Sequence, residues 1–145
     1  MRITIIQTKV ADIQDNLIVI KDHLPNTFEQ FNRLGIVKDG IYKKIEFCIE
    51  SMYDICAVIN SDLQLGIPQG DESIIDNLLQ NQVLSHNLAE TLKDMKGFRN
   101  ILVHRYGHID DEIAFTILSS QMNNFYQFIE EINSFLKDMN KKQRN

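Results

Sequence analysis

ITIIQTKVADIQDNLIVIKDHL, running from Ile3 to Leu24, is the stretch on which the fold turns. Ile3, Ile6, Val10, Ile13, Leu17, Ile20 and Leu24 step by three or four residues without a miss. That spacing places all seven in one narrow apolar seam on an α-helix, the pattern of a packed bundle helix. Pro25-Asn26 breaks it, because proline lacks the amide that would continue the ladder. Thr27 to Leu34 reads as a further turn or two before Gly35.

The same period recurs downstream. From about Val37 to Leu65, Ile41, Ile45, Cys48, Met52, Ile55 and Ile59 keep the three–four step, and Ile49, Cys56 and Leu63 widen the apolar face. A wide face predicts a central helix with neighbours on two sides. Gly66-Ile67-Pro68-Gln69-Gly70-Asp71 is the clearest loop, and Ser73 to Leu79 reads as a short helix. Leu84, Leu88, Leu92 and Met95 open the next helix, which runs on through Tyr106 until Gly107 invites a stop. Asp110-Asp111-Glu112 suit the start of a last helix, which carries Leu118, Met122, Phe125, Ile129, Ile132, Leu136 and Met139 on one face.

Composition agrees with helices. The 145 residues include only 6 Gly and 2 Pro, too few to turn the many corners of a sandwich or barrel. No internal repeat, low-complexity run or long linker divides the chain. The expectation is a single all-α domain over residues 1–145, an up-and-down bundle of four or five helices, with a basic tail from about 140 to 145 expected to fray.

Several function classes fall away. No apolar run approaches the ~18 residues of a membrane span, and Asp12 and Asp15 spoil any signal-peptide layout. Cys48 and Cys56 are the only cysteines. Eight helical residues separate them by about 12 Å along the axis, too far for a disulfide, so they read as small core residues of a cytoplasmic protein. Glycine-rich phosphate loops, paired Cys motifs and a His-Glu-x-x-His pattern are all missing from the sequence. Nucleotide-fold and zinc-enzyme readings therefore have no support, and no cofactor is expected.

One segment differs chemically from the rest. Lys96-Gly97-Phe98-Arg99-Asn100-Ile101-Leu102-Val103-His104-Arg105-Tyr106-Gly107 gathers two arginines, a histidine, an asparagine and a tyrosine around three apolar residues. Between Lys93 and Tyr106 the cations Lys93, Lys96, Arg99 and Arg105 face Asp94 alone, a local +3 in a chain of net charge −5. Arginine offers a rigid fork matched to phosphate oxygens, and histidine is the side chain suited to moving protons near neutrality. Together, without a metal cluster, they are a minimal kit for cleaving RNA. Arg99 would hold the scissile phosphate, His104 would move a proton, Asn100 would add a neutral hydrogen bond, and the ribose 2′-hydroxyl would be the nucleophile.

Spacing complicates the kit. Five residues separate Arg99 and His104, about 140° around an ideal helix. A loosened helix before Gly107, or the long arginine stem, would narrow that gap. Two copies facing each other across a two-fold axis would give a fuller site, so a homodimer is expected. The plain alternative is that Arg99 and His104 only favour the C-terminal end of a helix. His23 and His86 lack a cationic companion and read as surface or boundary residues, while His108 adjoins the segment without a clear part in it.

At this segment the sequence resembles HepT-like toxins, a branch of the HEPN superfamily. Their signature places four residues between Arg and His and one more before Tyr, matching Arg99, His104 and Tyr106 here. The family's central helix resembles Ile45 to Ile55, its following loop resembles Leu65-Gly66-Ile67-Pro68, and an acid such as Asp110 trails the signature. The resemblance implies a dimerising helical bundle with a composite, metal-independent ribonuclease site acting on RNA. It implies Arg99 and His104 as catalytic, with Asn100 and Asp54 supporting. It further implies a minimal nucleotidyltransferase antitoxin, MntA-like, that transfers AMP onto Tyr106. The rival reading is a non-catalytic HEPN module that docks a nucleotidyltransferase; a helical dimer without a site is the third.

Overall fold

The computed structural model describes residues 1–104 and 108–144. Among these the chain forms α1 (Ile3–His23), α2 (Phe28–Asn32), α3 (Ile36–Asp62), α4 (Asp71–Gln80), α5 (His86–His104) and α6 (Asp111–Arg144). The expected five segments are present as helices of ten or more residues, and the piece after Pro25 is a single five-residue helix. No described helix is long and apolar enough to cross a membrane.

The seam of α1 is the face it buries. Ile6, Val10, Ile13, Leu17 and Ile20 are shut from solvent, with Ile3 and Leu24 half-covered at the ends. Each such side chain contributes about 1.5–3 kcal/mol on burial. They pack along α3, and the two helices run antiparallel: Arg2, just before α1, pairs with Asp62 at the end of α3 at 2.8 Å. Helix α3 is the axis of the bundle, packed by α1, α4 and α5. The wide apolar face therefore has the several partners it called for, and Cys48 and Cys56 are buried free thiols within it. Burial disfavours thiolate and pushes Cys48 up to about 12 despite the opposing pull of Lys44; it pushes Cys56 up as well.

Each remaining element is fixed by identifiable contacts. Thr27 caps α2 by accepting from the Gln30 amide at 3.2 Å. Helix α2 then lodges Phe31 between Tyr42 of α3 and Phe115 of α6, with ring centroids at 5.8 and 5.2 Å. The loop after α3 is closed around buried Asn60, whose amide donates to Gly66 O at 2.9 Å while its Oδ1 accepts from Asn77 of α4 at 3.0 Å. Gly66 has φ +148°, and a Cβ there would lie 2.9 Å from the Asn77 amide, so glycine is required. That closure seats α4 beside α5.

Helix α6 begins where the acids stand. Asp110 Oδ1 accepts from the amides of Glu112 and Ile113, both at 3.1 Å, as an N-terminal cap. Asp111 accepts from Tyr42 Oη at 2.6 Å and Lys38 Nζ at 2.9 Å, tying this end of α6 to the start of α3. Partial burial opposes its charge, but the two hydrogen bonds win and hold the carboxyl below its ordinary range. At the other end, α6 runs to Arg144.

Candidate active site

Arg99, Asn100 and His104 all lie on α5, which is continuous helix from His86 to His104. The helix does not loosen before His104, so the ~140° divergence expected from five residues stands. Arg99 is half-buried against α3, and His104 is exposed at the last turn. A single copy therefore does not bring the two side chains to one point. Tyr106 and its neighbours Arg105 and Gly107 lie outside the described residues.

Arg99 is held from two sides. Its Nε and Nη2 donate to Glu50 Oε1 at 3.3 and 3.1 Å, and its Nη1 donates to Asn100 Oδ1 at 3.1 Å. These bonds use three of the five guanidinium N–H groups among the described residues, and one each on Nη1 and Nη2 remains to fork onto an oxyanion. Asn100 Oδ1 thus helps to orient the arginine. Glu50 is the residue that the sequence reading missed. It sits one turn before Asp54 on α3, and only the packing angle of α3 on α5 decides which of the two acids meets Arg99.

Asp54 takes a different contact. It is exposed and accepts from Lys9 of α1 at 3.5 Å. It still borders the same cleft, a space of about 310 Å³ lined by Ile49, Glu50, Tyr53, Asp54, Asp71, Lys96 and Arg99. Tyr53 forms the rear wall, its hydroxyl donating to Leu92 O at 2.6 Å and fixing α3 against α5.

The folded charge pattern differs from the linear one. Lys93 pairs with Asp76 at 2.7 Å, Lys96 with Asp71 at 3.6 Å and Arg99 with Glu50 at 3.1 Å. Three of the four cations behind the local +3 are answered by acids from α4 and α3, and Arg105 lies outside the described residues. The positive stripe is therefore a ladder of ion pairs in the single chain. His23 and His86 are exposed, in keeping with a surface role, and His108 is exposed beside the segment. Among the described residues no group of three or more His, Cys, Asp or Glu is placed to hold a metal ion.

Beside the site the surface is apolar. Ile101 and Val103 of α5 are 41% and 37% exposed, and Phe47 of α3 is 41% exposed.

The family described as Ribonuclease HepT-like matches residues 13–132, most of the chain. The chain belongs to the HepT-like family. Among HepT-like relatives, the mRNA nuclease HepT of Shewanella oneidensis is 34% identical over 103 residues, covering 71% of this chain and 77% of that protein. The tRNA nuclease HepT of Aphanizomenon flos-aquae is 28% identical over 92 residues, 63% of each. Among solved structures, the tri-AMPylated Shewanella oneidensis HEPN toxin in complex with MNT antitoxin superposes with a TM-score of 0.81 at 32% identity, over 90% of this chain and 97% of that one. Bacillus subtilis YutE superposes with a TM-score of 0.82 over 96% of this chain and 93% of its own; at 16% identity it bears on the fold alone. These likenesses agree with the all-helical HepT-like architecture.

Proposed function

We propose that this HepT-like chain is a metal-independent RNA-cleaving toxin, acting in the cytoplasm as a homodimer and restrained by a nucleotidyltransferase antitoxin. The observation that carries the reading is Arg99: a guanidinium oriented by Glu50 and Asn100, with an N–H on each terminal nitrogen left for an oxyanion. Nuclease relatives and the AMPylated toxin complex supply the substrate class and the partner.

In this reading the 2′-hydroxyl attacks the adjacent phosphorus. The 2′-O–P bond forms and the P–5′-O bond breaks, leaving a cyclic 2′,3′-phosphate and a 5′-hydroxyl. One His104 takes the 2′ proton, and the His104 of the second copy gives a proton to the departing 5′ oxygen. Arg99 neutralises charge gathering on the phosphoryl oxygens. Dimerisation answers the 140° divergence, since a second copy supplies the group that one α5 cannot turn inward. The exposed Phe47, Ile101 and Val103 provide apolar surface for that contact.

Tyr106 lies two residues past His104. AMP attached there adds bulk and negative charge where an RNA phosphate must sit. Co-production with a nucleotidyltransferase encoded beside the gene is therefore expected to raise the intact mass in AMP units, place the first on Tyr106 and abolish RNA cleavage. Unchanged mass with a catalytically competent neighbour would remove the antitoxin from the account. A stable complex, no RNA cleavage by the unmodified protein and no mass change would favour the docking-module reading instead.

A further inference from the structure

The cleft holding Arg99 contains a second cation that the chemistry above leaves unused. Lys96 stands three residues before Arg99 on α5, about 4.5 Å along the axis on a neighbouring face. Both side chains line the 310 Å³ cleft, whereas Lys93, further along the ladder, does not. Lys96 is about 29% exposed and, among the described residues, is paired with Asp71 of α4 at 3.6 Å, beyond hydrogen-bond reach; the Lys93–Asp76 pair is closed at 2.7 Å. An open ion pair at the surface is weak, so a phosphate can displace Asp71 from Lys96 more readily than Asp76 from Lys93.

We infer that Lys96 is a positioning residue for RNA, gripping the phosphate next to the one held by Arg99, and that Asp71 competes with the RNA for it. The strand then enters along α5 between α4 and α3. Asp71 stands in the first turn of α4, which the Asn60–Asn77–Gly66 closure sets beside α5. The acid therefore has a fixed place, and the lysine moves between two partners. This inference rests on the ribonuclease reading and adds a subsite to it.

The two residues of one ion pair are expected to act in opposite directions, which a purely structural pair would not do. With a short single-stranded RNA carrying a 2′-O-methyl block at the cut, Lys96→Ala is expected to bind roughly three- to tenfold more weakly than wild type. Its log Kd against log salt slope should be lower by about 0.7, one phosphate contact on a single strand. Lys96→Arg should restore the slope, and Asp71→Asn should bind more tightly than wild type. On unblocked RNA the Lys96→Ala loss should appear in KM, with kcat largely kept, because the reacting atoms are untouched.

Circular dichroism and Tm confirm folding of each variant. If folded wild type cleaves RNA but Lys96→Ala and Asp71→Asn leave affinity and slope unchanged, the inference is overturned and the ribonuclease reading survives. If wild type leaves unblocked RNA intact, both are overturned. If Lys96→Ala instead weakens only capture of the nucleotidyltransferase, the cleft is a protein-docking surface and the inference is overturned.

Discussion

His104→Ala is expected to lower RNA cleavage by about 10²–10⁴-fold, the range for losing a positioned proton-transfer group, while Tm stays close to wild type. The side chain is exposed at the last turn of α5, and exposed substitutions of this kind usually change stability by about 0.5 kcal/mol or less. Loss of activity with retained fold separates a chemical role from a helix-end role. The alternative, in which His104 merely favours the C-terminal end of α5, predicts the reverse: a small loss of helix stability and unchanged cleavage. Single-turnover cleavage rates beside thermal melts distinguish the two. Growth inhibition should disappear with the same variant.

Arg99 is expected to be nearly as sensitive, and in a way that depends on shape as well as charge. Arg99→Ala should cost about 10²–10³-fold in rate, the scale seen when one preorganised charge-stabilising donor is removed. Arg99→Lys keeps the charge but cannot hold Glu50 and Asn100 while presenting a two-pronged face. It should recover only a small part of the loss. Full activity in Arg99→Lys would mean that a point charge suffices, and that the bonds to Glu50 and Asn100 do not orient the catalyst. The Arg99–Glu50 pair is partly exposed, so a large fall in Tm is not expected from either change.

Much of the fold was legible because it rests on period. The seam from Ile3 to Leu24 needed one buried face, and α3 supplied it. Asp110 was legible as a helix start because capping is local chemistry. The site was only half legible. Arg99, Asn100 and His104 sit close together in sequence, so one segment announces them. Glu50 does not: Glu50 and Asp54 are both acids one turn apart, and the choice between them is made by how α3 packs on α5. Charge misled for the same reason. The +3 count along residues 93–106 is local, and the acids that answer it, Asp71, Asp76 and Glu50, come from two other helices. Around the cleft the cations are thus held in pairs, and broad coating by RNA is not to be expected of a chain with net charge −5. Contact with RNA must be made by displacing particular acids, which concentrates it at the cleft.

The most direct test of the account is cleavage in EDTA of two oligonucleotides of one sequence, one all RNA and one with a single 2′-deoxy sugar at the mapped cut. The account predicts that the RNA is cut without metal, to a cyclic 2′,3′-phosphate and a 5′-hydroxyl, and that the 2′-deoxy version resists at that position. Cleavage that requires a divalent metal ion, or equal cutting at the 2′-deoxy position, would contradict it.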